Sequence, residues 1–575
     1  MPVKKGVHSA HDAAKARLDG KTPFFFPKKR APIDAARTKG AKEAAALLMK
    51  NPDSSLERIK NSMCRKHGIT YLKNSEILQF IPSANEAIRR LLLKSPTRTL
   101  SGVSPIAIMP PPYPCVGRCT YCPKGENAPQ SYTGFEPTTM RAIQCGYSAK
   151  KQVEARLRQY SQQGHETDKC HLIFMGGTFL ASPVPPRRKF VKEAFDTLNG
   201  FVSRTLEEAI NNNERAKHRA IGATFETRPD FALKREADEM LALGGTQVEI
   251  GVQSLSDRVY QKVNRRHTLF EVERATRTLK DSGFKICYHM MPGLYSTPAQ
   301  DADYFKRLFS TSRFQPDMVK IYPVLVLPGT KLYDEWKAGR FTPYSTEEAA
   351  DAIADATKHI PPYVRIPRIQ RDIPSPLVLA GVKNSNLRQI VGQKLREEGT
   401  VCSCIRCREV GSAARQSHAA KKLSLSLLRR DYFASGGKEI FLSFEDEKQD
   451  LLAGFLRLRI PSESHRAEIS NGKSTVSLRS RGGTSLHESP DRNGAVFSSL
   501  VRELHIYGQE ASIGEKSEGK FQHKGLGRKL LFEAERITKR EYGLERISVL
   551  SGPGARGYYR KYGYSLEGPY MQKKV

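Results

Sequence analysis

The sequence predicts an α/β protein: an incomplete (β/α)6 barrel fused to a second, smaller α/β domain, with a small basic helical region in front. Three observations carry this. Short apolar runs alternate with amphipathic stretches over about residues 95–330. A second set of strand-like runs resumes near residue 424. The 575 residues also exceed what one core of about 150 residues can organise.

The front region comes first. Residues 1–50 hold twelve Lys/Arg against four Asp/Glu, around the patch "FFFPKKR". Aromatic rings beside cations suit base stacking and phosphate contact; the opening residues read equally as a loose basic tail. From about 41 to 94, "AKEAAALLM", "LERIKNSMCRKHG" and "ANEAIRRLLLK" are each apolar on one face, which predicts helices. Residues 1–94 are therefore expected to form one basic helical region.

The barrel follows, over 95–395. Its strands are predicted at "SPIAIM", "HLIFM", "AIGATFE", "QVEIGV", "KICYHM" and "MVKIYPV". Runs apolar on both faces belong to a parallel sheet covered by helices. Helical stretches such as "RKFVKEAFDTLNG" lie between them and end in the glycine expected at a C-cap. Chemistry in such a barrel belongs at the C-terminal strand ends.

Charge narrows the partners. The chain has 94 Lys+Arg against 60 Asp+Glu, a formal charge of +34 and a pI near 9.8. That balance favours a polyanion, above all nucleic acid; a generally basic chain is the plainer alternative. No apolar run approaches the roughly 20 residues that span a bilayer, and no secretory h-region opens the sequence. Six of the ten cysteines sit in two tight triplets, metal-site usage that points to a reducing compartment, by default the cytoplasm.

The first triplet, Cys115, Cys119 and Cys122 in "PYPCVGRCTYCP", lies just after the first predicted strand. A disulfide uses two thiols and a structural zinc four ligands. Three thiolates on a [4Fe–4S] cluster leave one iron open to a chelating ligand. A zinc knuckle fits poorly, with no fourth cysteine nearby. The Cys-x3-Cys-x2-Cys spacing, with Tyr121 before the last cysteine, resembles the radical-SAM superfamily signature. That resemblance implies S-adenosylmethionine on the open iron and a 5′-deoxyadenosyl radical made from it. Three further segments resemble SAM-contacting parts of that superfamily. "MGGTF" carries Gly176, Gly177 and Thr178 for the methionyl end, "VEIGVQS" carries Glu249 and Gln253 for the ribose, and "HMMPGL" ends a later strand. Alone, paired glycines after a strand are usually a tight turn.

The C-terminal domain, 424–575, holds "QHKGLGRKLLFEAERI" from Gln522. Gly525, Leu526, Gly527, Arg528 and Lys529 would open a helix whose free N–H groups cradle a pyrophosphate. Lying between "VRELHIYG" and "RISVLSG", this segment resembles the Gcn5-related N-acetyltransferase (GNAT) fold, which implies acetyl-CoA and places Tyr558 near the thioester sulfur; packing is the plainer role for that ring. Between the two domains, 396–423, Cys402, Cys404 and Cys407 predict a zinc site, with His418 as a candidate fourth ligand. The Ser/Gly/Arg stretch 462–498 reads as a loop.

The whole arrangement resembles one family, the catalytic third subunit of Elongator, a tRNA-uridine acetyltransferase, in its archaeal or bacterial form. Long strings carry the likeness: "PQSYTGFEPTTMRA", "ETRPD", "KIYPVLVLPGTKLY", "RDIPSPLVLAGVKNSNLR" and "YYRKYGYSLEGPYM". The resemblance implies formation of 5-carboxymethyluridine at the wobble position, from acetyl-CoA and a SAM-derived radical. It implies acetyl-CoA contacts at Lys169, at Glu503, Leu504, His505 and Ile506, at Leu526–Lys529, and at Tyr558. It implies the tRNA anticodon stem-loop as partner and no membrane, and leaves homo-oligomers or Elongator-like subunits open. Two rival readings are a protein lysine acetyltransferase with a structural barrel and a non-catalytic tRNA-binding subunit.

Overall fold

The computed structural model describes residues 35–82, 85–93, 102–413, 423–470, 497–507 and 525–575. The "FFFPKKR" patch, His418 and Gln522 lie outside them. The chain divides into two compact units, Met1–Ser104 with Glu154–Thr167, and Pro105–Val153 with Asp168–Val575.

In the first unit the helical periodicity becomes Ala35–Lys50, Leu56–Lys66, Asn74–Leu78 and Glu86–Leu92. Ala41, Ala44, Ala45 and Leu48, spaced three and four apart, bury one face of the first helix among Met63, Ile77, Leu78 and Ile88. The Ser55 hydroxyl caps the second helix, accepting from the Arg58 amide. Arg37 reaches Glu76 at 3.0 Å across the bundle. Lys42, Lys50, Arg58 and Arg65 stay exposed.

The second unit begins with six strands: β1 (Ser104–Ile108), β2 (Lys169–Phe174), β3 (Arg219–Thr227), β4 (Gln247–Gln253), β5 (Lys285–Met290) and β6 (Met318–Ile321). They lie side by side in chain order, and β2 to β6 pair in parallel. All six predicted strands are present. Each crossover carries helix, as parallel neighbours require, and the sheet ends at β1 and β6 without closing. The incomplete barrel expected from the alternation of apolar runs and helices is the observed fold. The helix Val184–Asn199 ends at Gly200 with φ of 85°, the left-handed C-cap that the terminal glycine predicts. A two-residue ladder, β7 (Leu325–Val326) with β8 (Ala380–Gly381), follows.

A seven-stranded sheet completes this unit: β9 (Ser426–Ala434), β10 (Gly437–Asp446), β11 (Leu451–Ile460), β12 (Ser498–Ile506), β13 (Arg546–Val549), β14 (Ser565–Glu567) and β15 (Tyr570–Lys574). Its order is β14-β15-β13-β12-β11-β10-β9, antiparallel except for the parallel pair β12/β13. The helix Leu526–Arg540 makes the β12–β13 crossover and buries Leu530, Leu531, Ala534 and Ile537 on the sheet.

Charges, not oil, fill the seam between the two sheets. Arg502 of β12 donates to both Asp317 oxygens at 2.7 and 2.6 Å, to Glu439 at 2.7 Å and to the Phe284 carbonyl at 2.8 Å. Arg459 spans Asp281 at 2.7 Å and Glu439 at 3.0 Å, and Lys280 reaches Asp317 at 3.2 Å. All are buried. Asp317 stands just before β6 and Phe284 just before β5, so the C-terminal sheet docks at the N-terminal ends of the barrel strands. Among the described residues no helix is long and apolar enough to cross a membrane.

Candidate functional site

The opposite ends of the barrel strands frame one cavity. The loop after β1 brings Cys115, Cys119 and Cys122 there; Gly177 and Thr178 come from beyond β2, Glu226 and Arg228 from the end of β3, Glu249 and Gln253 from β4, and His289 from β5. Gly176 and Gly177 have φ of 135° and 80°. A Cβ on Gly177 would stand 2.7 Å from the Gln130 carbonyl oxygen, so the loop after β2 closes on the 130 loop backbone to backbone.

Each sulfur of the triplet faces hydrogen-bond donors. The Gly117 amide donates to Cys115 Sγ at 3.3 Å, Arg265 Nη1 to Cys119 Sγ at 3.5 Å and Gln130 Nε2 to Cys122 Sγ at 3.2 Å, with Ser131 Oγ 3.1 Å from the same sulfur. Burial opposes the Cys119 thiolate, yet the Arg265 guanidinium, helped by Arg228, draws its pKa below the ordinary value. Burial pushes Cys122 up, with Ser131 and Gln130 opposing. Glu249 also sits buried on the wall: burial works against its charge, but the Lys320 ammonium and His289, 2.8 Å away, hold its carboxyl well below the usual range.

The second triplet is tighter. The sulfurs of Cys402, Cys404 and Cys407 lie within 4.8 Å of one another, and those of Cys404 and Cys407 are 3.7 Å apart. A zinc tetrahedron with bonds of ~2.3 Å spaces its sulfurs by about 3.8 Å. The other cysteines of the set hydrogen-bond to Cys404 and hold its thiol well below the ordinary value. The segment ties the stretch after the barrel to the second sheet: Ile405 N donates to Val364 O at 2.9 Å, and Arg408 pairs with Asp450 at 2.6 Å and with Glu445 of β10.

At the far end of the barrel, β12 pairs with β13 only over Ser498–Val501 but stays with β11 as far as Ile506. Glu503, Leu504, His505 and Ile506 thus line the side where β12 and β13 have parted. Gly525, with φ of 74°, caps the helix that starts at Leu526. A Cβ on Gly527 would stand 2.8 Å from the Tyr558 hydroxyl, so helix start and tyrosine are neighbours; Arg528 and Lys529 are exposed on that first turn. Tyr558 meets Tyr559 and Tyr562 edge-on at 5.3 and 5.2 Å, and burial raises its pKa. Glu503 pairs with Arg457 at 3.0 Å. His505 stacks on Tyr507 at 4.3 Å and is kept neutral, its pKa lowered by burial to about 4. Lys169 opens β2 in register with Arg219, and the turn Pro553–Ala555 before Tyr558 packs on that same end of β3.

Comparison with known proteins fits this arrangement. The Radical SAM superfamily model matches residues 109–308, the Radical_SAM C-terminal domain 316–397 and the ELP3 N-terminal domain 41–100. The tRNA uridine(34) acetyltransferase of Methanocaldococcus jannaschii is 43% identical over 90% of this chain and 93% of its own length. The chain belongs to the tRNA uridine(34) acetyltransferase/Elongator complex protein 3 family. The family member from Dehalococcoides mccartyi is 46% identical over 84% of this chain and all of its own. Elongator complex protein 3 of Homo sapiens is 40% identical over 91% and 94%. The solved structure of Methanocaldococcus infernus Elp3 lacking its N-terminus superposes with a TM-score of 0.70, 41% identity, over 83% of this chain and all of that one.

Membership of the radical SAM superfamily implies a [4Fe–4S] cluster and S-adenosylmethionine, and the cavity fits both. The three sulfurs of the first triplet do not all lie within 4.8 Å of one another, as ligands of a single ion would; cysteines on separate irons of a cluster must stand wider. Gln253 Oε1 and Arg228 Nη1 are buried on the cavity wall without a hydrogen-bond partner, unmet capacity suited to a polar, charged ligand. Sequence reasoning missed Arg228, Arg265, Tyr132, Glu226 and Lys320 as members of this wall. Tyr132 donates to Glu226 at 2.7 Å. "ETRPD" and "KIYPV" hold three of them, but only the sheet order shows that they face the cysteines.

Proposed function

We propose that this chain is a tRNA-modifying enzyme that uses SAM-derived radical chemistry and acetyl-CoA to form 5-carboxymethyluridine at the wobble uridine of anticodons. One observation carries the reading: a three-cysteine cavity and a glycine-capped, tyrosine-lined helix start occupy opposite ends of one barrel, within a family whose members are named for tRNA uridine(34). In this reading 1–94 grips the anticodon stem-loop, 95–395 is the radical SAM barrel, 396–423 holds zinc on Cys402, Cys404 and Cys407, and 424–575 is a GNAT domain. The enzyme works in the cytoplasm.

Cys115, Cys119 and Cys122 hold the cluster. Gly176, Gly177 and Thr178 offer backbone to the methionyl end of S-adenosylmethionine, and Glu249 and Gln253 flank its ribose. When bound, these two groups together supply one-electron chemistry able to take a hydrogen atom from an acetyl methyl. Main-chain amides of Glu503–Ile506 and of Gly525–Lys529 hold acetyl-CoA, and Lys169 meets a CoA phosphate from the barrel side. Tyr558, kept protonated by burial, donates its hydroxyl toward the thioester sulfur as water adds to the carbonyl carbon, the C–S bond breaks and the CoA thiolate leaves. A wobble base unstacked from the anticodon loop reaches the cavity by flipping out.

The protein lysine acetyltransferase alternative leaves the cavity without a task, and the relatives are named for tRNA uridine. Cys115→Ser separates the two. Radical chemistry predicts complete loss of carboxymethyluridine, read by mass spectrometry of nucleosides from tRNA incubated with cluster-loaded enzyme, S-adenosylmethionine and acetyl-CoA. Unchanged product would end the proposal.

A further inference from the structure

Next to the cysteine loop runs a segment that the reaction above does not use. It follows the helix Asp257–Lys262, and Asn264 and Arg266 both take the left-handed backbone region, at φ of 54° and 61°. Two such non-glycine residues two positions apart are costly and persist only when the surroundings impose them. Here the surroundings are the cysteine loop. Thr120 N donates to Val263 O at 3.1 Å, and Asn264 Nδ2 donates to Arg118 O at 3.3 Å. The two ties flank Cys119, and Arg265, the next residue of the segment, turns inward toward it.

The Arg265 side chain is buried, 7% exposed, and all three of its nitrogens are engaged. Nε donates to His267 Nε2 at 3.0 Å, Nη2 to the Gly251 carbonyl of β4, and Nη1 to Cys119 Sγ at 3.5 Å. Burial keeps His267 neutral, its pKa lowered to about 3, so that it can accept. A second guanidinium stands behind. Arg228 is fixed by Asp230 at 2.9 Å and by the Arg265 carbonyl at 2.8 Å, while its Nη1 lies against Gly117 of the cysteine loop without a partner.

We propose that Arg265, supported by Arg228, sets the reduction potential of the cluster by placing a buried fixed positive charge and a hydrogen bond on the Cys119 sulfur. This rests on the reading that Cys115, Cys119 and Cys122 hold a [4Fe–4S] cluster. Such a cluster on three thiolates carries one net negative charge. Uptake of one electron, from a low-potential one-electron donor, doubles that charge with no proton to offset it. Cluster potentials follow net charge and hydrogen bonds to the sulfurs, and a buried cation acts strongly because little solvent screens it. Arg265 therefore favours the reduced cluster. It acts through Cys119 and is a positioning and tuning residue.

The test is a mediated dithionite titration of the reconstituted full-length protein, followed by electron paramagnetic resonance, with iron and sulfide counted per chain. R265Q with a full cluster complement should show a midpoint potential more negative than wild type. R265K, which keeps the charge, should recover most of the shift, as a merely structural role would not. S-adenosylmethionine affinity is measured alongside. An R265Q midpoint equal to wild type overturns the proposal, even if SAM affinity or product formation falls. If R265Q takes up no cluster, R228Q decides: a smaller shift in the same direction supports the proposal, and none overturns it. Absence of a cluster in the wild-type protein would be a different failure, that of the underlying reading.

Discussion

Gly177 shows how much of the site hangs on single atoms. Its φ of 80° and the Gln130 carbonyl, 2.7 Å from where a methyl would stand, leave no space for a side chain. Gly177→Ala should keep the cluster but weaken S-adenosylmethionine binding at least tenfold, about 1.4 kcal/mol, measured by equilibrium dialysis on the loaded protein. Gly146→Ala is the control: its φ is 57°, but open space surrounds it, so it carries backbone strain without the clash. Equal affinities in all three proteins would remove the backbone cradle from the account. At this scale the sequence was partly legible. Cys115, Cys119, Cys122, Gly176 and Gly177 stood out because their spacing is chemistry in itself. Arg265 did not, since one of the two arginines in "NRRH" gains meaning only when β4 and the cysteine loop are folded around it.

At the scale of elements, short apolar runs alternating with amphipathic helical stretches located all six barrel strands, because a strand buried on both faces leaves an uninterrupted apolar run. β9 escaped, for "SLLRRDYFA" is an edge strand: Arg429 and Asp431 face water, Arg430 turns to buried Glu445, and the three charges break the run. The seam between the sheets escaped too, since its buried arginines read as surface charge in a strand such as "LLAGFLRLRI". Arg502 joins β12 to the barrel through Asp317 and to β10 through Glu439. Arg502→Leu removes the cation that both buried carboxylates share, leaving Asp317 to Lys280 and Glu439 to Arg459, and the expected loss is about 3 kcal/mol, seen as a lower midpoint in urea unfolding. A change within about 0.5 kcal/mol would mean that the seam is held by packing instead.

At the scale of the whole molecule, buried neutral histidines couple folding to pH. Burial lowers the pKa of His171 and His267 to about 3 and of His505 to about 4, against an ordinary value of 6.5. Between about pH 6.5 and 4 the unfolded chain binds protons that the folded chain refuses, so stability falls as pH falls, by up to about 1.4 kcal/mol per pH unit for each histidine. Urea unfolding at pH 7.5, 6.5 and 5.5 should show that slope, and His171→Gln should reduce it by about a third.

The same three-dimensional view sets the central question, which no linear motif poses. Lys169 and Tyr558 lie with the N-terminal strand ends and the cysteines with the C-terminal ends, so the acetyl group and the radical chemistry must be brought together within one barrel. The direct measurement supplies acetyl-CoA deuterated at the acetyl methyl to cluster-loaded enzyme with S-adenosylmethionine and tRNA. The account predicts 5′-deoxyadenosine that has gained one deuterium, and a carboxymethyluridine side chain that retains the other two. Unlabelled 5′-deoxyadenosine beside labelled product would contradict it.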